Sequence, residues 1–308
     1  MKKLGLINPH TTGGPASFWK VLSGGDMFIC SEGYEDEPNL IVIGSSLKIR
    51  QLVLARLSGR NLILRLDGRY EFSDFGISRL HHYLALVIAR EFIASILATY
   101  IVYQSVFVKL KYPWHRCYFS KKRIIYNSAT DYQITSNAET EFDLIIIEGS
   151  VRLTDYWRKI LSRLFLSDLR IAVTGLIDPK NESFWNRQNI HVFGHVDRSL
   201  LNDLRSKSTL HLCIERNPAC PNSVIESLVN GLPVYGLHEG SLPELIKDPR
   251  TLSSYSHKKM DVNRNFDEII HLLSDMRRDI YSYRTAIVND KTEYSPSTMT
   301  LAYYNLLR

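Results

Sequence analysis

The feature that most constrains the fold is a regular alternation of short, β-branched apolar runs with longer helical stretches. Eleven such runs are predicted to be strands, the first KLGLIN and the last PVYGLH. Several of them, including NLILRLDG and DLIIIEGS, are apolar almost without interruption, which is typical of strands buried on both faces of a sheet. Because strands that alternate with helices form parallel sheets covered by those helices, the chain is predicted to be an α/β protein.

A polar stretch at residues 128–142, SATDYQITSNAETEF, separates two strand-rich blocks. The 308 residues suffice for two domains that each bury a core. We expect an N-terminal domain over residues 1–132 and a C-terminal domain over residues 133–290. Each is predicted to be a Rossmann-like, doubly wound parallel sheet, and the two are expected to face one another across a cleft. Residues 291–308 are predicted to form a closing helix.

Composition and charge exclude some classes of function but do not identify one. Basic residues outnumber acidic ones by 38 to 32, a balance that suits anionic partners such as phosphorylated small molecules, nucleic acid or a membrane surface. The four cysteines form no Cys-x-x-Cys pair, so we expect no zinc site or disulfide framework and a reducing, cytoplasmic location. The most apolar stretch, residues 83–103, has Arg90 and Glu91 at its centre. Since a charge there costs about 2.5–3.5 kcal/mol in a bilayer, a buried helix followed by a strand is predicted instead.

The most informative segment is residues 213–246, CIERNPACPNSVIESLVNGLPVYGLHEGSLPELI. A strand ends in a loop rich in Pro, Asn and Cys, and a helix follows. Asn222 or Ser223 is expected to cap that helix and Gly231 to end it. The open backbone N–H groups of such a helix start form an anion site. Glu226 lies one turn inside the same end, where its carboxylate would repel a phosphate but suits a pair of sugar hydroxyls.

This segment resembles the nucleotide-sugar signature of GT-B glycosyltransferases, in particular the large retaining family 4. That signature has a Glu, seven residues, a second Glu and then a Gly-Leu-Pro-Val run, and one branch has Cys-Pro-Asn-Ser before the second Glu. Here residues 220–223 reproduce Cys-Pro-Asn-Ser, Glu226 matches the second Glu, and residues 231–234 read Gly-Leu-Pro-Val. The resemblance implies that Glu226 holds the ribose of a nucleoside-diphosphate sugar. It also implies that Asn222 and Ser223, at the helix start, stabilise the departing diphosphate.

The N-terminal half resembles the same family in matching order. Gly13 and Gly14, after the first strand, resemble the glycine loop that lets the backbone approach the donor phosphates. Arg65 and Asp67, in an Arg-Leu-Asp-Gly block, are the candidate catalytic residues, with the acceptor hydroxyl near Asp67. Arg152 is the best available cation for the diphosphate. In this family the last helix crosses back onto the first domain, which is expected here too.

Two departures leave an alternative open. Eight residues before Glu226, the family's first acid is replaced by Pro218, and the nearest acid is Glu215. In the family that acid helps to hold the transferred sugar. The Arg and Lys pair after the first strand of the second domain is also missing in its usual form. Since a charge-assisted hydrogen bond contributes about 1.5–3 kcal/mol, the loss of one cation weakens binding about tenfold to a hundredfold. A catalytically inactive binding protein of the same fold is therefore the alternative to an enzyme.

The resulting hypothesis is a retaining, metal-independent hexosyltransferase of polysaccharide biosynthesis, with a nucleoside-diphosphate sugar as donor and a glycan or lipid-linked hydroxyl as acceptor. No metal site and no separate cofactor are expected. Residues 109–123 interleave basic and aromatic residues, a pattern found in solvated loops, in membrane-surface contacts and in single-strand nucleic-acid sites. We expect a peripheral membrane contact as a possible role of this strip, and no nucleic-acid partner.

Overall fold

The computed structural model describes residues 1–7, 13–31, 37–43, 48–66, 80–129, 140–151, 153–253, 261–288 and 291–308. The chain forms two compact units, one of residues 1–128 with 296–308 and the other of residues 129–295. Each unit contains one parallel sheet with helices between its strands. The predicted α/β class, with a parallel sheet in each half of the chain, is confirmed.

The first unit has a six-stranded sheet in the order β2-β1-β3-β4-β5-β6, and every pairing in it is parallel. The strands are β1 (Lys2–Ile7), β2 (Phe28–Ser31), β3 (Asn39–Ile43), β4 (Asn61–Leu66), β5 (Tyr100–Tyr103) and β6 (Lys121–Ile124). All residues of β3 and β5 are buried, as the uninterrupted apolar runs predict for strands covered on both faces.

In the described part of the first unit there are five α-helices. They are α1 (Gly13–Ser23), α2 (Ile49–Leu57), α3 (Leu80–Leu97), α4 (Val106–Leu110) and α11 (Pro296–Leu306). The last of these, α11, packs on α1, with the rings of Phe18 and Tyr303 5.4 Å apart, and Met299 of α11 lies in the same hydrophobic core. The C-terminal helix therefore completes the core of the unit that contains β1.

The apolar stretch at residues 83–103 forms a helix, α3, followed by a strand, β5, as predicted. The prediction that this helix is buried was wrong for its C-terminal half, where Phe92, Ile93 and Ile96 are exposed. The spacing of these three residues places them on one face of α3. Among the described residues, no helix is both long and apolar enough to cross a bilayer.

The second unit has a five-stranded parallel sheet in the order β11-β10-β7-β8-β9. Its strands are β7 (Phe142–Val151), β8 (Ile171–Ile177), β9 (Ile190–Gly194), β10 (Ser208–Leu212) and β11 (Val234–Tyr235). Its helices are α5 (Asp155–Leu164), α6 (Glu182–Trp185), α7 (Arg198–Ser206), α8 (Asn222–Val229), α9 (Leu242–Leu245) and α10 (Val262–Val288). Trp157 of α5 and Trp185 of α6 are buried in the core between the sheet and its helices.

Candidate functional site

The order in which the chain adds strands to the second sheet reverses at β7. The chain adds β8 and β9 on one side of β7 and then returns to add β10 and β11 on the other. In open α/β sheets, ligands bind outside the carboxyl ends of the strands at such a switch point. Residues 148–151 form the irregular last part of β7, and residues 213–221 after β10 and 236–241 after β11 are the segments that leave this edge.

Helix α8 begins at Asn222, next to this edge. Its N-cap residue is Pro221, which makes no side-chain capping hydrogen bond. The prediction that Asn222 or Ser223 caps the helix was therefore wrong: both lie in its first turn. The helix ends before Asn230, and Gly231 adopts a positive φ of 75°, so the predicted end is confirmed. Because no N-cap side chain satisfies the first-turn N–H groups, the start of α8 remains suited to an anion.

Glu226 is engaged in ion pairs that the sequence does not reveal. Its Oε2 accepts a hydrogen bond from Nη2 of Arg205, and its Oε1 lies 3.6 Å from Nη2 of Arg198. Both arginines come from α7, so the carboxylate joins α7 to α8. Arg205 is 1 % exposed and Arg198 is 54 % exposed. One oxygen of Glu226 is thus held by a buried cation, while the other faces a cation that solvent can replace.

The Arg205 side chain also affects a buried histidine. His211, in β10, is fully buried, and its pKa is lowered to about 3, mainly by burial and further by Arg205. Burial lowers the pKa of Arg205 itself, and the neighbouring Glu226 partly offsets that effect. The carboxylate of Glu226 is therefore the group that compensates the charge of Arg205 in this part of the unit.

Carboxylates gather around Cys213, which is buried at the end of β10. Burial raises the pKa of the Cys213 thiol well above its usual range, and Glu148, Glu215 and Glu239 raise it further. Burial, and secondly the charge of Glu215, also raises the pKa of Glu148 well above its usual range. The carboxyl edge of the sheet therefore combines a helix start suited to an anion with an acidic region beside it. Among the described residues, no group of His, Cys, Asp and Glu could hold a metal ion.

Two loops of this edge are joined to each other. The backbone N–H of Asn217 donates to Oε1 of Glu239 over 3.3 Å, and the N–H of Ser241 donates to the carbonyl of Pro218 over 2.8 Å. Gly240 has a φ of +61°, and a Cβ there would lie 2.5 Å from Pro218 N. Asn217 has a φ of +47°. This left-handed conformation is uncommon outside glycine, and asparagine adopts it more readily than most other residues.

Three other predicted site residues, Gly13, Gly14 and Arg65, belong to the first unit. Gly13 and Gly14 are the first two residues of α1, so they form a helix start after β1 and not the loop before it. Arg65 is buried at the end of β4, where its Nη2 donates to Oδ1 of Asn127 over 2.6 Å. Its guanidinium also lies 4.1 Å from the ring centre of Phe18. These contacts support the core of the first unit, and a catalytic role of Arg65 stays a prediction.

Asp67 and Arg152 lie outside the described residues. Their roles as a catalytic residue and as a diphosphate ligand therefore remain predictions. Sequence reasoning missed Arg205 and Glu239. The seven-residue spacing of the two arginines in α7 was the one available signal for the ion pair, since it places them on the same helix face.

Solved structures resemble the whole chain. HepE of Anabaena, crystallised with UDP and also with UDP-glucose, has a TM-score of 0.71, 12 % identity in the UDP complex, and covers 100 % of this chain and 99 % of its own. Sucrose-phosphate synthase of Thermosynechococcus elongatus has a TM-score of 0.73 at 11 % identity, with 100 % and 98 % covered. A glycosyltransferase of Rickettsia africae has a TM-score of 0.64 at 14 % identity, with 99 % and 98 % covered.

The chain has the GT-B fold. Because the sequence identities are only 11–14 %, these structural similarities show the fold alone. No protein-family model and no curated protein sequence matches the chain. In this GT-B chain, the switch point of the second sheet holds the helix start at Asn222, the carboxylate of Glu226 and the acidic region around Cys213.

Proposed function

We propose that the protein is a glycosyltransferase that moves a sugar from a nucleoside-diphosphate sugar to a hydroxyl acceptor. The observation that carries the proposal is the pairing, at one edge of the second sheet, of an anion-suited helix start with carboxylates suited to sugar hydroxyls. A nucleoside-diphosphate sugar is a ligand with both chemistries. The GT-B fold and the UDP and UDP-glucose complexes of HepE support this choice.

In the proposed complex, the diphosphate lies at the start of α8 and the ribose lies at Glu226. The partial positive charge of the helix start favours an anion there. Glu226 accepts hydrogen bonds from the ribose hydroxyls with the oxygen that faces Arg198. That contact is 3.6 Å long and lies near solvent, and such ion pairs contribute only about 0–1 kcal/mol. A ribose hydroxyl can therefore replace Arg198 at low cost.

The proposed chemical step needs stabilisation of the leaving group more than it needs a protein base. The bond between the sugar C1 and the phosphate oxygen breaks, and a bond between C1 and the acceptor oxygen forms. The proton of the acceptor hydroxyl passes to the departing diphosphate. The N–H groups at the start of α8 stabilise the charge that develops on the diphosphate oxygen. Retention of configuration, a hexosyl donor and metal independence belong to the proposal through the family resemblance.

The test is binding and turnover on a panel of sugar nucleotides. Isothermal titration with UDP-glucose, GDP-mannose and dTDP-glucose measures affinity, and release of the nucleoside diphosphate measures hydrolysis and transfer. We expect one nucleotide base to bind and the bound sugar to be released or transferred. Tight binding without turnover on any donor and acceptor would favour the inactive binding protein, for which Pro218 and the missing cation pair are the motivation. No binding of any donor would contradict both.

An isosteric substitution tests the site itself. In Asn222→Asp a negative charge is placed at the start of α8, which we expect to weaken nucleoside-diphosphate binding by about tenfold or more through repulsion. The matched control is Asn263→Asp, at the second residue of α10 in the same unit, which should leave affinity unchanged. Equal affinities for the two variants would remove the start of α8 from the diphosphate site.

We further propose that the acceptor is presented at a membrane surface and that the first unit contacts it. The proposed contact, the apolar–basic surface, comprises Phe92 and Ile96 of α3 with Phe119, Arg116 and Lys121, all exposed. Phe119 is fully exposed. Residues 92–129 contain six Lys and Arg residues and no Asp or Glu, a charge balance that suits anionic lipid headgroups.

The apolar–basic surface is held together by contacts with α3. The rings of Phe92 and Tyr118 lie 5.9 Å apart, and the hydroxyl of Ser120 donates to the carbonyl of Ala98, the residue directly after α3, over 2.8 Å. The Lys122 ammonium donates to the carbonyls of Tyr118 and Ser120. The segment that carries Phe119 is therefore fixed beside the exposed face of α3, so the two apolar groups can enter one interface together.

A further inference from the structure

Glu239 is a buried carboxylate with an incomplete set of partners. It lies in the turn after β11 and is 8 % exposed. Its Oε1 accepts the N–H of Asn217, but its Oε2 has no hydrogen-bond partner among the described residues. The hydroxyl of Ser241, which is 0 % exposed, also lacks a partner there. A buried polar group without a hydrogen-bond partner destabilises the fold, and a charged group does so more than a neutral one.

The surroundings of Glu239 do not supply the missing partner. Among the described residues, no Lys or Arg lies within ion-pair distance of it. Its charge acts on Cys213 and on the buried Tyr156, whose pKa values are raised mainly by burial and in part by Glu239. The hydroxyl of Tyr156 is likewise unpaired within the described part of the chain. Glu239 therefore belongs to the acidic region at the carboxyl edge of the sheet, where a ligand can provide what the protein does not.

The chemistry of this region favours a ligand with several hydroxyl groups. Carboxylate oxygens and serine or tyrosine hydroxyls accept hydrogen bonds, and an uncharged sugar supplies hydroxyl donors at several positions. An anion is disfavoured because the carboxylates of Glu215 and Glu239 both act on the buried thiol of Cys213 and would repel a second negative charge there. A metal ion is disfavoured because no set of described His, Cys, Asp and Glu residues could hold one.

The loop that contains residues 217 and 218 supports Glu239 as the hydrogen-bond acceptor for the sugar. Residue 218 is a proline and has no polar side chain. Its carbonyl accepts the N–H of Ser241, and the preceding residue, Asn217, donates to Glu239. The turn at residues 239–241 therefore lies against residues 217–218. It places the carboxylate of Glu239 beside Pro218, which has no carboxylate of its own.

We propose that Glu239 binds hydroxyls of the transferred sugar, with the hydroxyl of Ser241 as a second contact. This assignment rests on the proposed function, since it names the group that distinguishes a sugar nucleotide from the bare nucleoside diphosphate. Glu226 and the start of α8 then hold the nucleotide, while Glu239 sets the affinity for the sugar.

The experiment compares each nucleoside diphosphate with its sugar conjugate: UDP with UDP-glucose, GDP with GDP-mannose and dTDP with dTDP-glucose. For the base that binds, we expect Glu239→Gln and Glu239→Ala to keep the affinity for the nucleoside diphosphate within twofold. Affinity for the sugar conjugate should fall about tenfold or more, which is the loss of one hydrogen bond to a charged group. The control is Glu141→Gln, an exposed acid just before β7, at the opposite edge of the same sheet.

A stability measurement separates this role from a structural one. Because Glu239 is buried without a full set of partners, its replacement by Gln should leave the melting temperature unchanged or raise it. A lower melting temperature with equal loss of affinity for both ligands would show a structural role and overturn the assignment. Unchanged affinity for the sugar conjugate in both variants would overturn the assignment alone. If the unaltered protein binds no nucleotide of the panel, the proposed function fails, and the assignment fails with it.

Discussion

Glu226 combines a proposed ligand contact with an ion pair that the fold requires. The guanidinium of Arg205 is almost fully buried and donates to one oxygen of this carboxylate. Removing one member of a buried ion pair destabilises a protein more than replacing both, because an uncompensated charge is left behind. A substitution at Glu226 therefore changes folding and binding together, and a single variant does not separate the two effects.

A pair of variants does separate them. We expect Glu226→Ala to lower the free energy of unfolding of the second unit by about 3 kcal/mol, because Arg205 stays buried and unpaired. The double variant Arg205→Met with Glu226→Leu should recover most of that stability and still fail to bind a nucleoside diphosphate. Chemical denaturation and titration calorimetry measure the two quantities. A stable double variant that binds as tightly as the unaltered protein would show that Glu226 acts on the fold alone.

At this scale, local features could be predicted and contacts between distant segments could not. The helix start at Asn222 and the position of Glu226 one turn later follow from neighbouring residues, and the structure has both. The partners of Glu226 and Glu239 lie 21 and 22 residues away in the chain. Asn217 and Glu239 meet because β10 and β11 are adjacent parallel strands. Arg205 reaches Glu226 from a different helix, α7. Neither contact follows from the residues next to each partner in the sequence.

The turn at residues 239–241 shows how an element can depend on a single glycine. Gly240 has a left-handed φ and lies directly against Pro218. Substituting Ala would add the conformational cost of that φ, about 1–2 kcal/mol, to a clash with backbone atoms. We expect Gly240→Ala to be destabilising by more than that cost and to weaken binding of the sugar conjugate, since the turn that carries Glu239 must move. Thermal unfolding and titration calorimetry test this.

Gly194 offers a matched control in the same unit. Its φ is +66°, close to that of Gly240, but a Cβ there would meet nothing within 4 Å. Gly194→Ala should therefore show the conformational cost alone. If the two variants were equally stable, the contact between Gly240 and Pro218 would have no energetic weight, and the turn would not be held in place by it.

Secondary structure was predictable where burial imposes a pattern over several residues. Each of the eleven predicted strands overlaps a strand of the structure, since runs such as NLIVI and NLILRL are buried on both faces. The prediction was wrong for most of the run RIIYNS, because β6 ends at Ile124. Helices α4, α6 and α9 were not predicted. They have only four or five residues, which is about one turn, and a helical period is not visible in so short a segment.

The apolar–basic surface predicts that the whole protein binds to anionic lipid vesicles. We expect the protein to sediment with vesicles of phosphatidylcholine and phosphatidylglycerol and not with vesicles of phosphatidylcholine alone. Phe119→Glu should reduce the bound fraction about tenfold or more, because burying a phenylalanine contributes about 1.5–3 kcal/mol. Leu166→Glu, at an exposed leucine of the second unit, should leave binding unchanged. Binding to a single-stranded oligonucleotide, with no vesicle binding, would assign this surface to nucleic acid instead.

The fold class was predictable from the alternation of strands and helices, because that alternation is a property of the chain as a whole. The same reasoning did not show which exposed groups share a surface. Phe92 and Phe119 are 27 residues apart in sequence, and they come together through the contact of Tyr118 with α3. Such a surface is visible only once the helix and the following segment are placed side by side.

The position of helix α11 at the end of the sequence determines the order in which the two units can fold during translation. Met299 and Tyr303 fill the core that Phe18 helps to form, yet they are translated nearly three hundred residues later. Residues 129–295 contain every strand of their own sheet and can acquire native structure during translation. The amino-terminal half, although translated first, must wait for residues 296–306 before its interior is sealed, so nascent chains stalled before that point should expose Phe18 and Trp19 to chaperones.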